Sequence, residues 1–193
     1  MPENLQKRLS VSAAGSEQEL LNLFRSRKAD AMRLFYERYA GFLTAVCTRY
    51  ITDADSAKDV LQESLISIFG AIDKFSYRGE GSLKAWASRI VVNTALKSLR
   101  QHGKLSFVDD LPDVCEDEET PQLQRLPAKV LHGFIRELPD GYRTVFNLFV
   151  FEKKSHKEIA SLLGIKENSS ASQYFRARAQ LEKQIKQYLK EHE

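Results

Sequence analysis

Apolar residues return at three- and four-residue spacing along most of this chain, and no stretch carries a convincing strand pattern, so the periodicity predicts helices. "SEQELLNLF" opens on a capping box, Ser16 with Glu19, ahead of an apolar run. "ADAMRLFYERYAGFLTAVCTRYI" predicts a long helix with Met32, Phe35, Tyr39, Phe42, Leu43 and Val46 on its inner side. "DADSAKDVLQESLISIFGAI" predicts the next, with Val60, Leu61, Leu65, Ile68 and Ile72 turned inward. The glycines of "KFSYRGEGS" end it, and Ser82 stands where it can cap the helix that follows. From Gly103 to about Gln124 neither period survives. After Pro127 the helical period resumes: "AKVLHGFIREL" stops at Pro139, "GYRTVFNLFVFE" is strongly apolar, "SHKEIASLLG" has a second capping box (Ser155 with Glu158) and ends at Gly164, and "ENSSASQYFRARAQLEKQIKQYLKEHE" closes the chain. The expected fold class is all-α. A loose tail over 1–15 precedes an N-terminal helical bundle over 16–102, and a flexible acidic linker over 103–126 leads to a C-terminal helix-turn-helix domain over 127–193.

The helix in "GSLKAWASRIVVNTALKSLRQHGK" contains the only tryptophan, five bases and no acid. At about 100° per residue, Leu83, Ala87, Ile90, Thr94 and Ser98 share one face, with Val91 and Ala95 beside them. Arg89, Asn93, Lys97 and Arg100 share another, and Trp86 falls with these. A boundary core residue is one reading of that tryptophan. The other is a stacking surface for an exposed base, with the neighbouring cations holding phosphates, which suits opened DNA better than a closed duplex.

"SHKEIASLLGIKENSSASQYFRARAQL" has the form of a helix-turn-helix. Ile159, Ala160 and Leu163 face inward on the first helix, Ile165 plugs the turn, and Ser170, Tyr174, Ala177 and Leu181 form the buried stripe of the second. The wheel then sets Ser169, Ser172, Gln173 and Arg176 outward together, flanked by Phe175 and Arg178. Hydroxyls, an amide and guanidinium groups are the side chains that reach base edges and phosphates in a major groove. In "DADSAKDVLQES" and just beyond, Asp55, Asp59, Gln62, Glu63 and Ile66 gather on the outward face, either as a solvated acidic surface or as a dock for a basic partner with Ile66 at its centre.

Composition sharpens this picture. The net charge of +3 conceals an acidic segment, Asp109 to Glu119, with seven acids and no base, so the rest of the chain carries +10, as a nucleic-acid binder needs. No apolar run reaches membrane-spanning length and the N-terminus lacks an apolar signal core, which points to the cytoplasm. Cys47 and Cys115 have no partner spacing, and the four histidines show no metal-ligand spacing. "RGEGS" matches no phosphate loop or dinucleotide fingerprint, and no nucleophile elbow occurs. Neither an enzyme nor a cofactor is expected.

Three blocks in order, "DADSAKDVLQESLISIF", "KFSYRGEGSLKAWASRIVVNTALKSLRQ" and "LPDGYRTVFNLFVFEKKSHKEIASLLGIKENSSASQYFRARAQL", resemble bacterial extracytoplasmic-function (ECF) sigma factors, over roughly Ser16 to Leu181. The resemblance implies a promoter-specificity subunit of RNA polymerase. Its N-terminal domain would bind core and open the −10 element, and its C-terminal domain would bind the −35 element as duplex. Asp55, Asp59, Gln62, Glu63 and Ile66 would then dock on the clamp helices of the largest polymerase subunit. The loop from Tyr77 through Arg78 and Gly79 to Gly81 would hold a flipped base, and the face of Trp86, Arg89, Asn93, Lys97 and Arg100 would support the separated strand. Ser172, Phe175 and Arg176 match positions that approach the −35 element. An anti-sigma protein, often membrane-bound in the family, is a further implied partner. The chain departs from the pattern at Ala171 and Gln173, where many members have lysine or arginine, and at Ser170, where many have an apolar residue. A linker of about 22 residues reaches at most about 70 Å, roughly two duplex turns. The main rival is a stand-alone helix-turn-helix regulator that binds duplex as a dimer; an all-α interaction protein with an acidic partner is a third reading.

Overall fold

The computed structural model describes residues 15–26, 30–103, 105 and 127–192. The expected tail, apart from Gly15, and the acidic segment lie outside the described residues. Among the described residues all regular structure is helical, and no helix is long and apolar enough to cross a membrane. The chain divides into two compact units, with the boundary between Ser98 and Leu99.

The first unit contains α1 (Glu17–Arg25), α2 (Asp30–Tyr50), α3 (Ala54–Ala71) with a 3₁₀ turn at Ile72–Lys74, and α4 (Ser82–Gln101), whose last turn crosses the boundary. Ser16 caps α1 with the expected box: its Oγ accepts the Glu19 N–H, while the Glu19 carboxylate accepts the Ser16 N–H at 2.9 Å. The Asp53 carboxylate caps α3 by accepting the Ser56 N–H at 2.8 Å. Phe24, Phe35 and Phe69 meet at the centre, with Phe35 edge-on to Phe69 at 5.5 Å, the arrangement aromatic quadrupoles favour. Cys47 is buried here, and desolvation pushes its thiol up to about 11. Met32, expected inside, is 54% exposed. It lies on the arc of Phe35 and Tyr39 but in the first turn of α2, and an angular position buries a side chain only where a neighbour extends that far.

The second unit contains α5 (Ala128–Glu137), α6 (Asp140–Val150), α7 (His156–Leu163) and α8 (Glu167–Glu191). Ile135, Leu138, Ala177 and Leu181 form its core, with Leu131, Phe134, Tyr142 and Phe146 packed against them. Arg143 is buried and holds the α5–α6 corner. Its guanidinium donates to the carbonyls of Leu138 (2.6 Å) and Arg136 (3.3 Å) and pairs with Asp140. These carbonyls are among those left unpaired at a helix end, so the arginine substitutes for the missing turn. The second capping box is present at Ser155 and Glu158, and Gly164 ends α7 in the left-handed region (φ 72°).

Candidate nucleic-acid interface

Helix α4 is buried around most of its circumference. Leu83, Ala87, Val91, Val92, Ala95, Leu96 and Leu99 are all buried, an arc of about 200° at 100° per residue. Between its first turn, where Lys84 and Ala85 are exposed, and its terminal Gln101, the exposed remainder is a narrow stripe of Arg89, Asn93, Lys97 and Arg100. Trp86 stands at its N-terminal end, half-buried, with its ring 5.0 Å from that of Phe75. The apolar residues Val92, Leu96 and Leu99, outside the face of Leu83 and Ala87, already pointed to cover over much of the helix, and all three are buried. Lys97 reaches across to α3 and pairs with Glu63 at 2.8 Å.

The loop before α4 is tied down. Gly79 and Gly81 have φ of 111° and 87°, conformations that strain any residue with a Cβ. Ser82 Oγ donates to the Gly79 carbonyl at 2.5 Å and accepts the Arg78 N–H at 3.2 Å. Ser82 is thus the first residue of α4 and secures the turn; it is not the cap expected from its position. Tyr77 is half-buried and donates to Glu80 at 3.4 Å. Desolvation, and then the Glu80 carboxylate, raise its phenol above the ordinary value. Arg78 is exposed.

The cap of α4 comes from far away in sequence. Glu17, in the first turn of α1, is 1% exposed. Its Oε2 accepts the Leu83 N–H at 2.9 Å, and its Oε1 accepts the Lys84 N–H at 3.0 Å and the Tyr39 hydroxyl at 2.9 Å. In return, the Glu17 N–H donates to Glu80 Oε2 at 3.1 Å, and Arg38 donates to Glu80 Oε1 at 2.8 Å. Burial, and then the hydrogen bond to Glu17, push the Tyr39 phenol far up. Sequence reasoning missed Glu17, Arg38 and Glu80. An acid in the first turn of an amphipathic helix reads as ordinary dipole compensation, and nothing local marks Glu17 as buried.

On α3 the acidic face is fully presented: Asp55, Asp59, Gln62 and Glu63 are exposed, and Ile66 is 74% exposed. Asp55 pairs with Lys58 at 2.9 Å. An isoleucine so open within a ring of acids is an apolar patch rimmed by charge.

On α8 the expected outward set divides. Phe175, Arg176 and Arg178 are partly exposed, but Ser169, Ser172 and Gln173 are buried at 3%, 3% and 0%. A wheel yields angular order and a free face only where one neighbour covers the helix; α8 is met by α5, α6 and α7 of its own unit. Ser172 Oγ is turned back on its own helix, donating to the Asn168 carbonyl at 2.8 Å. Ser170 is buried as expected, and its hydroxyl meets His156 Nδ1 of α7 at 3.0 Å. That contact lets a polar residue occupy the stripe. The His156 ring also stacks on Phe149 at 4.7 Å.

Comparison with known proteins bears on this geometry. The family model described as Sigma-70 region 2 matches residues 35–105, and that for Sigma-70, region 4 matches residues 128–181. The chain is 27% identical to the RNA polymerase sigma-H factor of Pseudomonas aeruginosa, covering 91% of this chain and 96% of that protein. It is 29% identical to the ECF RNA polymerase sigma-E factor of Haemophilus influenzae, over 88% and 95%. Identity to the RNA polymerase sigma factor SigV of Bacillus subtilis is 30%, over 66% of this chain and 75% of that protein. A solved structure of CnrH in complex with the cytosolic domain of CnrY overlays with a TM-score of 0.48 at 20% identity, covering 89% of this chain and 98% of that one. The two matched regions follow in order along the chain, and the match covers nearly the whole length of the sigma-H and sigma-E factors and three quarters of SigV: the chain belongs to the ECF subfamily of bacterial RNA polymerase sigma factors.

Proposed function

We propose that three faces divide the work of promoter-directed initiation in this chain. The acidic face of α3 docks on the clamp helices of core polymerase, with Ile66 inserted at its centre. The loop Tyr77–Gly81 and the stripe Trp86, Arg89, Asn93, Lys97 and Arg100 open the −10 element. The α8 surface around Phe175, Arg176 and Arg178 meets the −35 duplex. Ser169, Ser172 and Gln173 join that surface only in a conformation that uncovers them. The domain limits 16–102 and 127–193, with 103–126 as tether, follow the same division.

The observation that carries this reading is the narrowness of the exposed stripe on an otherwise buried α4. From Arg89 to Arg100 it runs about 16 Å at 1.5 Å per residue, long enough to follow a few successive phosphates of one strand. A single row of that length, with an aromatic at one end, tracks one strand and stacks one displaced base. Stacking contributes about 1–3 kcal/mol per base, against a cost of a few kcal/mol to flip one. One aromatic therefore balances the cost of a flipped base without exceeding it, so opening depends on polymerase to hold the strands apart. The role is one of binding, without a catalytic step, and it is exercised in the cytoplasm where core polymerase and promoter DNA are found. An anti-sigma protein would compete for these same faces.

The test is transcription in vitro with bacterial core polymerase on a randomised promoter library. Wild-type chain should select a promoter class. Trp86→Ala should bind core normally yet open the selected promoters about tenfold less, the loss of one stacked base. Tight duplex binding by the chain alone, with no affinity for core, would establish a stand-alone regulator instead.

A further inference from the structure

We propose that Glu17 is a positioning residue for promoter opening: a capping carboxylate, supplied from 66 residues away, that fixes the first turn of α4 and the loop leading into it. The inference rests on the reading above that this loop and α4 act on the −10 element.

Glu17 is 1% exposed, and a buried carboxylate is tolerated only where its lone pairs are satisfied. Here three donors converge on it: the N–H groups of Leu83 and Lys84, which are among those the α4 N-terminus leaves unpaired, and the Tyr39 hydroxyl. The charge also meets the positive end of the α4 dipole. A second carboxylate completes the arrangement in the opposite sense. Glu80, inside the loop, accepts the Glu17 N–H at the start of α1 and is gripped by Arg38. Two helix starts are thereby crossed, each capped by an acid from the other's side. The consequence is local. Glu80 lies between Gly79 and Gly81, and the two residues that Glu17 caps immediately precede Ala85 and Trp86. Any slackening of Glu17 therefore loosens both the loop backbone and the first turn that carries the tryptophan. The exposed end of the stripe, from Asn93 to Arg100, and the acidic face of α3 have their own supports.

The experiment uses full-length chain with core polymerase and a promoter selected by wild-type holoenzyme. It compares Glu17→Gln with wild type on two templates, the closed duplex and the same promoter pre-opened by mismatches across the −10 element. Hydrogen exchange of the free chain reports the Leu83 and Lys84 amides. The expected result is faster exchange at those two amides, core affinity within about twofold of wild type, and opening of the closed duplex reduced about tenfold, the effect of leaving one buried donor unmatched. The pre-opened template should restore transcription. Equal loss on both templates would reduce Glu17 to a support of the general fold and overturn the proposal, as would unaltered opening alongside deprotected amides. Should Glu17→Gln fail to fold, Glu80→Gln, at an exposed position, carries the same comparison. A reduction on closed duplex alone supports the proposal, and unaltered opening overturns it. If wild type neither binds core nor transcribes from either template, the functional reading itself fails, which is a different result from any of these.

Discussion

Arg143 shows how one side chain can hold a corner that no local pattern announces. Its position in α6 is buried at 3% exposure, and an arginine there would be costly without partners. The carbonyls of Arg136 and Leu138 and the carboxylate of Asp140 supply them. Arg143→Met keeps most of the volume but leaves the helix-end carbonyls unmatched, at about 1–3 kcal/mol. Urea denaturation should show the midpoint falling with the slope unchanged. An unaltered midpoint would mean that those carbonyls find other donors. Glu17 is likewise a buried polar group compensated by backbone groups, but its partners lie 66 and 67 residues away, where those of Arg143 lie within seven. A helical wheel reads neither, because it records which residues share a face and not which backbone groups a side chain reaches.

Between elements, the α7–α8 pair shares a contact that also accounts for a polar residue in a buried stripe. Ser170 occupies a buried position in the stripe that includes Ala177 and Leu181, and His156 meets its hydroxyl at 3.0 Å. The two residues should therefore be coupled. Ser170→Val alone should destabilise the chain by about 1 kcal/mol by stripping the imidazole of its partner. In a His156→Phe background the same substitution should be near neutral or favourable, and a double-mutant cycle in denaturant measures the difference. The pH dependence has a fixed sign. Burial lowers the His156 pKa below its ordinary 6.5, and the nearby Glu167 carboxylate opposes this only in part. Stability from the neutral ring is thus complete above the unfolded value and is lost as pH falls through it toward the folded one, by at most about 1.4 kcal/mol per pH unit. Melting temperature should drop on going from about pH 7.5 to about pH 5.5, with the drop shallower in His156→Phe; parallel curves would refute the assignment. The capping box below it acts in the same direction further into acid. The Glu158 carboxyl is held below the usual range by the Ser155 N–H and hydroxyl, so its cap is lost as pH falls through that lowered value.

For the whole molecule the controlling quantity is charge distribution. Seven acids in Asp109–Glu119 bring a chain of +10 down to +3. If this segment screens the basic faces while polymerase is absent, its removal should raise the free chain's affinity for DNA. The salt dependence should steepen as well, because more phosphate contacts release more counterions. Filter binding or anisotropy at two salt concentrations measures both, and unchanged affinity at matched salt would end the screening idea. Here +10 is a statement about association and solubility, not about the fold.

The amino-acid order by itself determined the helical class, the two capping boxes, the glycine stop at Gly164, the basic stripe on α4 and the open acidic face with Ile66. Each depends on residues within one or two turns, where helical period and capping chemistry act. The family blocks were equally legible, since they too are contiguous. Three matters were settled only when the helices packed. The wheel could not say how wide a covered arc would be, and so set Ser169, Ser172 and Gln173 outward and Met32 inward, against what is found. It credited Ser82 with a cap that Glu17 provides. It gave no sign that Lys97 and Glu63, 34 positions apart, form an ion pair between the two faces. Periodicity is a property of a single helix; burial, remote capping and cross-helix pairing depend on which other helix arrives, and at what height.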